Sequence, residues 1–262
     1  MKRAIFKIAI VGAVVFGVAA ANASAQAQTS SSTPKPATTA THHAAASTGT
    51  DPALLHPATL TAKAPDVYEV TFDTTKGTFV LQVTRAWAPL GADRFYNLVR
   101  HHFYDGVVFF RVVPGFVVQF GLGPNPAVNK AWENAKIKDD PVSQSNAPGT
   151  ITFATAGANT RTTQVFINLG NNAGLDQQGF AAFGKVTSGM DVIQNFYSGY
   201  GDTTTNDQGN ITTGGKAYLD KTYPKLDAIK TARITSPVPA PAPAKKPAAT
   251  SKPAAKPAAP QQ

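Results

Sequence analysis

Residues 104–121, YDGVVFFRVVPGFVVQFG, constrain this chain more than any other stretch. Apart from Arg111, Pro114, Gly115 and Gln119, every position from Val107 to Phe120 is Val or Phe. Two short β-rich runs around a Pro-Gly turn read as adjacent strands of a buried sheet. Arg111 is the only charge inside that run. An unpaired buried charge is very costly, so the guanidinium either meets a carboxylate across the sheet or faces a cleft. Gln119 shares a strand face with Val117 by the period of two. Arg111, Phe116, Val117 and Gln119 together describe a half-apolar wall carrying a few fixed polar groups. Ligand sites are commonly lined that way, which favours the cleft.

The ends of the 262-residue chain have a different composition, so one folded unit is expected. Residues 1–25 read as a secretory signal: Lys2, Arg3 and Lys7, an apolar run of 14 residues over 8–21, then Ala23-Ser24-Ala25 as an A-x-A cleavage site. That run falls short of the roughly 20 apolar residues a membrane span needs. Residues 26–65 are mostly Ala, Thr, Ser and Pro and are expected to be a disordered linker; within it, Leu54, Leu55 and Leu60 are candidates to pack on the domain edge. Residues 66–236 form the expected domain, and 237–262 a Pro/Ala/Lys tail of extended, partly polyproline character. The net charge of +9 sits largely in these ends, because residues 66–236 hold 15 Lys and Arg against 14 Asp and Glu. No basic stripe belongs to the domain, which argues against nucleic acid as a partner. The absence of cysteine excludes disulfides, thiolate metal sites and a Cys nucleophile.

Within the domain, residues 67–72 and 79–83 alternate apolar and polar on either side of a turn closed by Gly77, the pattern of a hairpin. Pro89 opens a helix running to about His101, with Leu90, Phe95, Leu98 and Val99 at helical spacing. Residues 122–148 and 198–215 read as polar loops, and Asp139-Asp140 as a turn. Strands are expected at 150–155, 164–168, 180–186 and 226–234. In the second of these, Val165, Ile167 and Leu169 face the core while Gln164 and Phe166 face the cleft. Ser188 to Asp191 resembles a capping box that starts a helix through Val192, Ile193 and Phe196. Many short strands with one helix after the second and one before the last imply a mainly β fold: a closed antiparallel barrel capped by two α-helices.

Three separated blocks, FFRVVPGFVVQFG, GTITFATAGANTRTTQVFI and LDQQGFAAFGKVTSGMDVI, strongly resemble the cyclophilin family of peptidyl-prolyl cis–trans isomerases in order and spacing. The resemblance covers residues 66–236 and implies an eight-stranded barrel with an active groove on its outer surface. Matched motif by motif, it implies that Arg111 is the catalytic arginine, with Gln119 beside it. It further implies that Phe116, Val117, Gln164, Phe166, Leu175 and Phe180 line the groove, and that the backbone of Ala154 and Thr155 binds the peptide. Several positions depart from the family pattern. Thr155 stands where many members have Asn, and Val117 where many have Met. Phe180 takes the place of a His with one extra residue of spacing, and Gly174 that of a Trp frequent in cyclosporin-sensitive eukaryotic members. These departures bear on substrate preference and inhibitor binding more than on the reaction.

The residue types suit that reaction on independent grounds. Rotation about an X-Pro bond is opposed by amide resonance, a barrier of about 18–20 kcal/mol. No bond is made or broken, so neither nucleophile, metal nor cofactor is required. His42-His43 lies in the expected linker, and Asp202, Asn206 and Asp207 miss calcium-loop spacing. A dry pocket for the proline ring and a donor to the twisting amide suffice, with Arg111 as donor and Gln119 orienting it. The expected partners are proline-containing polypeptides, met by an exported, monomeric protein in the periplasm or outside the cell, without stable membrane insertion after signal cleavage. The alternative is a proline-peptide-binding or chaperone module with little catalytic activity. A small-ligand carrier barrel is disfavoured by the long connection at 122–148.

Overall fold

A computed structural model describes residues 50–237 of the chain. The expected signal segment and most of the linker and tail lie outside these residues. Among those described, no helix is long and apolar enough to cross a membrane.

Eight strands form one antiparallel sheet: β1 (Val67–Thr74), β2 (Gly77–Thr84), β3 (Arg111–Val113), β4 (Val117–Phe120), β5 (Thr150–Phe153), β6 (Val165–Asn168), β7 (Ala182–Ser188) and β8 (Ile229–Pro237). Their spatial order is β3-β4-β6-β5-β7-β2-β1-β8. The alternation in β1 and β2 buries Tyr68, Val70 and Phe72 with Phe79, Leu81 and Val83, and the Phe72 and Phe79 rings stack 4.6 Å apart. Helix α1 (Pro89–Arg100) adds Phe95, Leu98 and Val99 to the same core. Its first turn departs from the expected face: Leu90 is 44% exposed. There the free N–H groups of Leu90 and Gly91 donate to the carboxylate of Asp140, at 2.9 and 2.8 Å. A carboxylate at a helix N-terminus satisfies orphan donors and complements the dipole.

The expected closed barrel is corrected to an open, curled sheet whose edges are β3 and β8. The residues ahead of β3 do reach the start of β8: Gly106 N–H donates to Ile229 O, Ile229 N–H to Val107 O, and Phe109 N–H to Asp227 O, all at 2.8–2.9 Å. No ladder follows, because the next groups are taken elsewhere. The Phe110 carbonyl accepts the Thr204 hydroxyl, and the Ala232 N–H of β8 donates to Asp105 Oδ1 at 3.0 Å.

The two-helix cap is also corrected. Short α2 (Pro126–Trp132) lies in the stretch expected to be a long loop, and α4 (Gln208–Thr222) begins in the other. The Gly- and Thr-rich start of α4 has poor helix propensity; packing of Ile211 and Leu219 against Phe110 and Leu122 overrides it. At Gly215 the backbone leaves helical geometry with φ 55°, and Lys216 N–H donates to Pro124 O instead. The capping box is not formed. Ser188 still belongs to β7, and α3 (Met190–Gln194) starts after Gly189 at φ 79°, where a Cβ would press on Thr78 O. Strand β8 starts at Ile229 rather than 226, because Asp227 turns inward to accept Tyr197 N–H and the Thr75 hydroxyl, both at 2.7 Å.

The chain enters the fold before residue 66. Two single turns of 3-10 helix, Pro52–Leu55 and Pro57–Thr59, lie against the domain, and Leu54 is 3% exposed within the main core. Trp132 Nε1 donates to Leu54 O at 2.8 Å, and His101 Nδ1 lies 2.8 Å from Asp51 Oδ2. That bond to His101 holds the Asp51 carboxyl below its usual range. In the full chain, Leu54→Ala is expected to cost about 2–5 kcal/mol, the usual range for a buried Leu. Leu55→Ala, at a position 45% exposed, should move the denaturant midpoint hardly at all. Equal midpoints for the two variants would show that this segment does not complete the core.

Candidate active site

The groove grows from the two-faced character of β4 and β6. Val118, Phe120, Val165 and Ile167 fill the main core, while Val117 and Phe166, on the opposite faces, pack with Phe180 into a separate apolar cluster. Phe116, Ala154 and Leu175 close around it, and the Phe166 and Phe180 rings meet edge-on at 5.7 Å. The cleft so formed has a volume of about 240 Å³. This is below the roughly 300–1,000 Å³ of pockets that hold drug-sized ligands.

Polar groups cross this apolar floor in a chain. Arg111 pairs directly opposite Gln119 in the β3–β4 hairpin, whose turn places Gly115 at φ 73°. Arg111 Nη1 donates to Gln119 Oε1 at 3.2 Å, and Gln119 Nε2 donates to Gln164 Oε1 at 2.9 Å. Arg111 Nε donates to Asp202 Oδ1 at 2.5 Å. The guanidinium also lies 5.4 Å from the centre of the Phe116 ring. Both outcomes open to a buried arginine are therefore realised at once. Arg111 is ion-paired and only 7% exposed, yet it lines the cleft, and its Nη2 has no hydrogen-bond partner among the described residues.

Strand β5 ends at Phe153, two residues earlier than expected, which leaves Ala154 and Thr155 as cleft wall. The Ala154 N–H is taken by Gln164 O at 3.0 Å. The Ala154 carbonyl and the Thr155 N–H make no protein hydrogen bond among the described residues. The loop beyond is held from behind. Arg161 pairs with Asp139 and Asp140, and Arg94 donates to Thr162 O at 3.0 Å, its pKa lowered to about 10 by burial. Asp139-Asp140, expected to be a turn, thus anchors this loop.

Leu175 and Phe180 are presented by the 3-10 turn Ala173–Gln178 and the Gly179 that follows at φ 84°. Strand β7 starts only at Ala182, which frees Phe180 for the groove. Asp176 ties this turn to the preceding loop by accepting from Ser145 Oγ, Asn146 N–H and Asn146 Nδ2, at 2.6, 2.9 and 2.7 Å. Burial alone would raise its pKa, but these bonds outweigh it and leave the carboxyl below 3.8.

All ten residues singled out from the sequence line one cleft: Arg111, Phe116, Val117, Gln119, Ala154, Thr155, Gln164, Phe166, Leu175 and Phe180. Sequence reasoning missed the facing wall, which comes from Asp202, Thr205, Asn206 and Gln208. In the sequence Asp202 and Asn206 stand out only as oxygen ligands that miss calcium-loop spacing, and Asp207 points elsewhere, accepting from the hydroxyls of Tyr218 and Tyr223 at 2.7 Å each. The signal that could have found Asp202 was the need of a buried arginine for a carboxylate.

With this geometry in view, comparison with known proteins places the chain. The family model described as cyclophilin type peptidyl-prolyl cis-trans isomerase/CLD matches residues 69–215, more than half of the chain. A peptidyl-prolyl cis-trans isomerase of Acinetobacter baylyi is 35% identical over 130 residues, 47% of this chain and 69% of that protein. A peptidyl-prolyl cis-trans isomerase-like 1 of Emericella nidulans is 33% identical, over 48% of this chain and 79% of the other. The crystal structure of a cyclophilin type isomerase from Cryptosporidium parvum aligns with a TM-score of 0.49 at 19% identity, covering 65% of this chain and 98% of that one. The chain belongs to the cyclophilin-type peptidyl-prolyl cis–trans isomerases. Bacterial and fungal relatives both match.

The Asp176 carboxyl, with its folded pKa below the unfolded value, stabilises the protein fully above the ordinary 3.8, and this contribution is lost as pH falls through the folded pKa. Asp176→Ala should therefore lower the denaturant midpoint at about pH 6. The gap to the parent protein should narrow as the solution is acidified below that ordinary value. A gap independent of pH would show that Asp176 acts through shape alone.

Proposed function

We propose that this isomerase is an exported, monomeric protein that turns X-Pro bonds in unfolded or flexible polypeptides, with Arg111 as the donor to the twisting amide. The observation that supports this reading is the state of the guanidinium. Two of its nitrogens are held by Asp202 and Gln119, while Nη2 has no partner among the described residues, and Arg111 lines the same cleft as Val117, Phe166 and Phe180. A proline ring seated in that pocket leaves its amide at the Arg111 side of the groove. As the amide twists, resonance is lost and the lone pair localises on the prolyl nitrogen. A donor aimed at that developing charge stabilises the twisted state without needing to reorganise. The free Ala154 carbonyl and Thr155 N–H, with Gln164 Nε2, hold the flanking backbone so that only the prolyl bond turns.

The energetics of the ion pair separate catalysis from stability. Arg111→Ala leaves behind Asp202, whose side chain is 46% exposed and can be hydrated, and a buried Gln119 Oε1 without its donor, so the loss of stability should be about 1–3 kcal/mol. The rate is another matter. Removing one preorganised donor of this kind costs about 2.7–4 kcal/mol, roughly a hundredfold to a thousandfold. Arg111→Lys keeps the charge but loses the planar fork, and should also be impaired. The checks are kcat/KM on a short X-Pro peptide and the denaturant midpoint of each variant. A normal rate in folded Arg111→Ala protein would defeat the Arg111 assignment. Peptide binding without turnover in the parent protein would favour the binding-module alternative.

The reading of residues 1–25 supports export. When expressed with its full N-terminus in a bacterial host, the mature protein should begin at Gln26, which intact-mass measurement would reveal. Retention of residues 1–25 in a soluble cytoplasmic fraction would refute it.

A further inference from the structure

We infer that Asp202 is a positioning residue for the reaction: it fixes the plane of the Arg111 guanidinium so that Nη2 is presented to the prolyl amide. This rests on the catalytic reading of Arg111 given above. A guanidinium is planar, and its side chain can swing about several single bonds, so one contact does not set its orientation. Here Gln119 holds one edge at Nη1 and the Phe116 ring lies beneath one face. Neither prevents the group from pivoting about the Nη1 contact. The 2.5 Å bond from Nε to Asp202 Oδ1 supplies the second fixed point, and a charge-assisted bond is the stronger kind. With Nε and Nη1 both held, the remaining edge is defined.

Asp202 can serve in this way because its own segment is pinned at both ends. Next to it, Thr204 is fully buried and its hydroxyl donates to the carbonyl of Phe110, the residue immediately before Arg111. The carboxylate is thereby tied to the very strand it serves. At the far end, Asp207 accepts from Tyr218 OH, Tyr223 OH and Asn210 Nδ2, each at 2.7 Å. The 3-10 turn Thr203–Asp207 between these anchors stands as the second wall of the cleft. The exposure is asymmetric: the Arg111 side chain is 8% exposed and that of Asp202 46%. Asp202 therefore meets Arg111 from the solvent side, and leaves the apolar floor to the peptide.

The test compares Asp202→Ala and Asp202→Asn in the full chain, and Asp202→Ala combined with Arg111→Ala, all confirmed folded at the assay temperature. On an X-Pro peptide, Asp202→Ala should lower kcat about tenfold, the size expected of a coupled neighbour. KM should change by less than about twofold, because the proline pocket is untouched. Asp202→Asn keeps an acceptor at the Oδ1 position without the charge and should fall between the parent and the Ala variant. In the Arg111→Ala background, Asp202→Ala should cause no further loss. A parental kcat in Asp202→Ala, an effect confined to KM, or an equal loss in the Arg111→Ala background would each overturn the inference. If Arg111→Ala alone leaves the rate unchanged, it is the reading of Arg111 that fails, whatever Asp202 does.

Discussion

The structure depends on strands that serve two interiors at once. In β4 and β6, successive side chains alternate between the main core and the groove, so each strand is buried on both faces. Side-chain period two makes this arrangement unforgiving: a slip of one residue would drive Gln119 into the core and Phe120 into the cleft. The register is set by the hairpin through Pro114-Gly115 and by tight backbone approaches at the strand ends. A Cβ at Gly121 would collide with the Thr163 carbonyl, and one at Gly170 with that of Gly115. The walls of the groove are thus as rigid as the core they share a backbone with, which a site requiring a defined donor position needs.

On that scaffold the chemistry reduces to electrostatics. The barrier to prolyl rotation is a resonance barrier, so on the proposed reading what the protein supplies is a place where the twisted amide is better solvated than the planar one. A row of side chains, Asp202–Arg111–Gln119–Gln164, runs along the groove, each oriented by the next. Burial strengthens these bonds by lowering the local dielectric and makes an unsatisfied member costly. Arg111 Nη2 has no partner in this row among the described residues.

Much of the polar interior has the quieter task of holding loops that strands cannot hold. Asn146 bridges Asp176, Thr152 and the Phe180 carbonyl, and so links β5 to the turn that carries Leu175. Arg161 and Asp140 connect the loop after Thr155 to the start of α1. These groups bond to partners in other segments, so each fixes the relative position of two parts of the chain, although Arg161 Nε itself makes no hydrogen bond among the described residues. The two sides of the groove are set by such links, and its floor by the sheet.

Periodicity alone was enough to read the two hairpins, the core faces of β1, β2 and β6, and a cleft face carrying Arg111, Phe116, Val117, Gln119, Gln164 and Phe166, while Ala154, Thr155, Leu175 and Phe180 came from the motif resemblance. The motif resemblance supplied their roles, and period-two patterning is local, so it survives whatever the rest of the chain does. What depended on distant contacts was invisible. Helix α4 forms in a Gly- and Thr-rich stretch only because Phe110 and Leu122 offer it an apolar surface. Residues 50–65 join the fold because Trp132 and the core take up Leu54, although their composition resembles the linker before them. The sheet stays open because Thr204 and Asp105 occupy groups a closed ladder would use. The partner of Arg111 lies 91 residues away in a stretch without periodicity. The sequence left that charge either a carboxylate or a cleft, and only the folded chain could decide that it has both, with Asp202 as the carboxylate, because pairing across such a separation is set by three-dimensional proximity and leaves no local pattern to read.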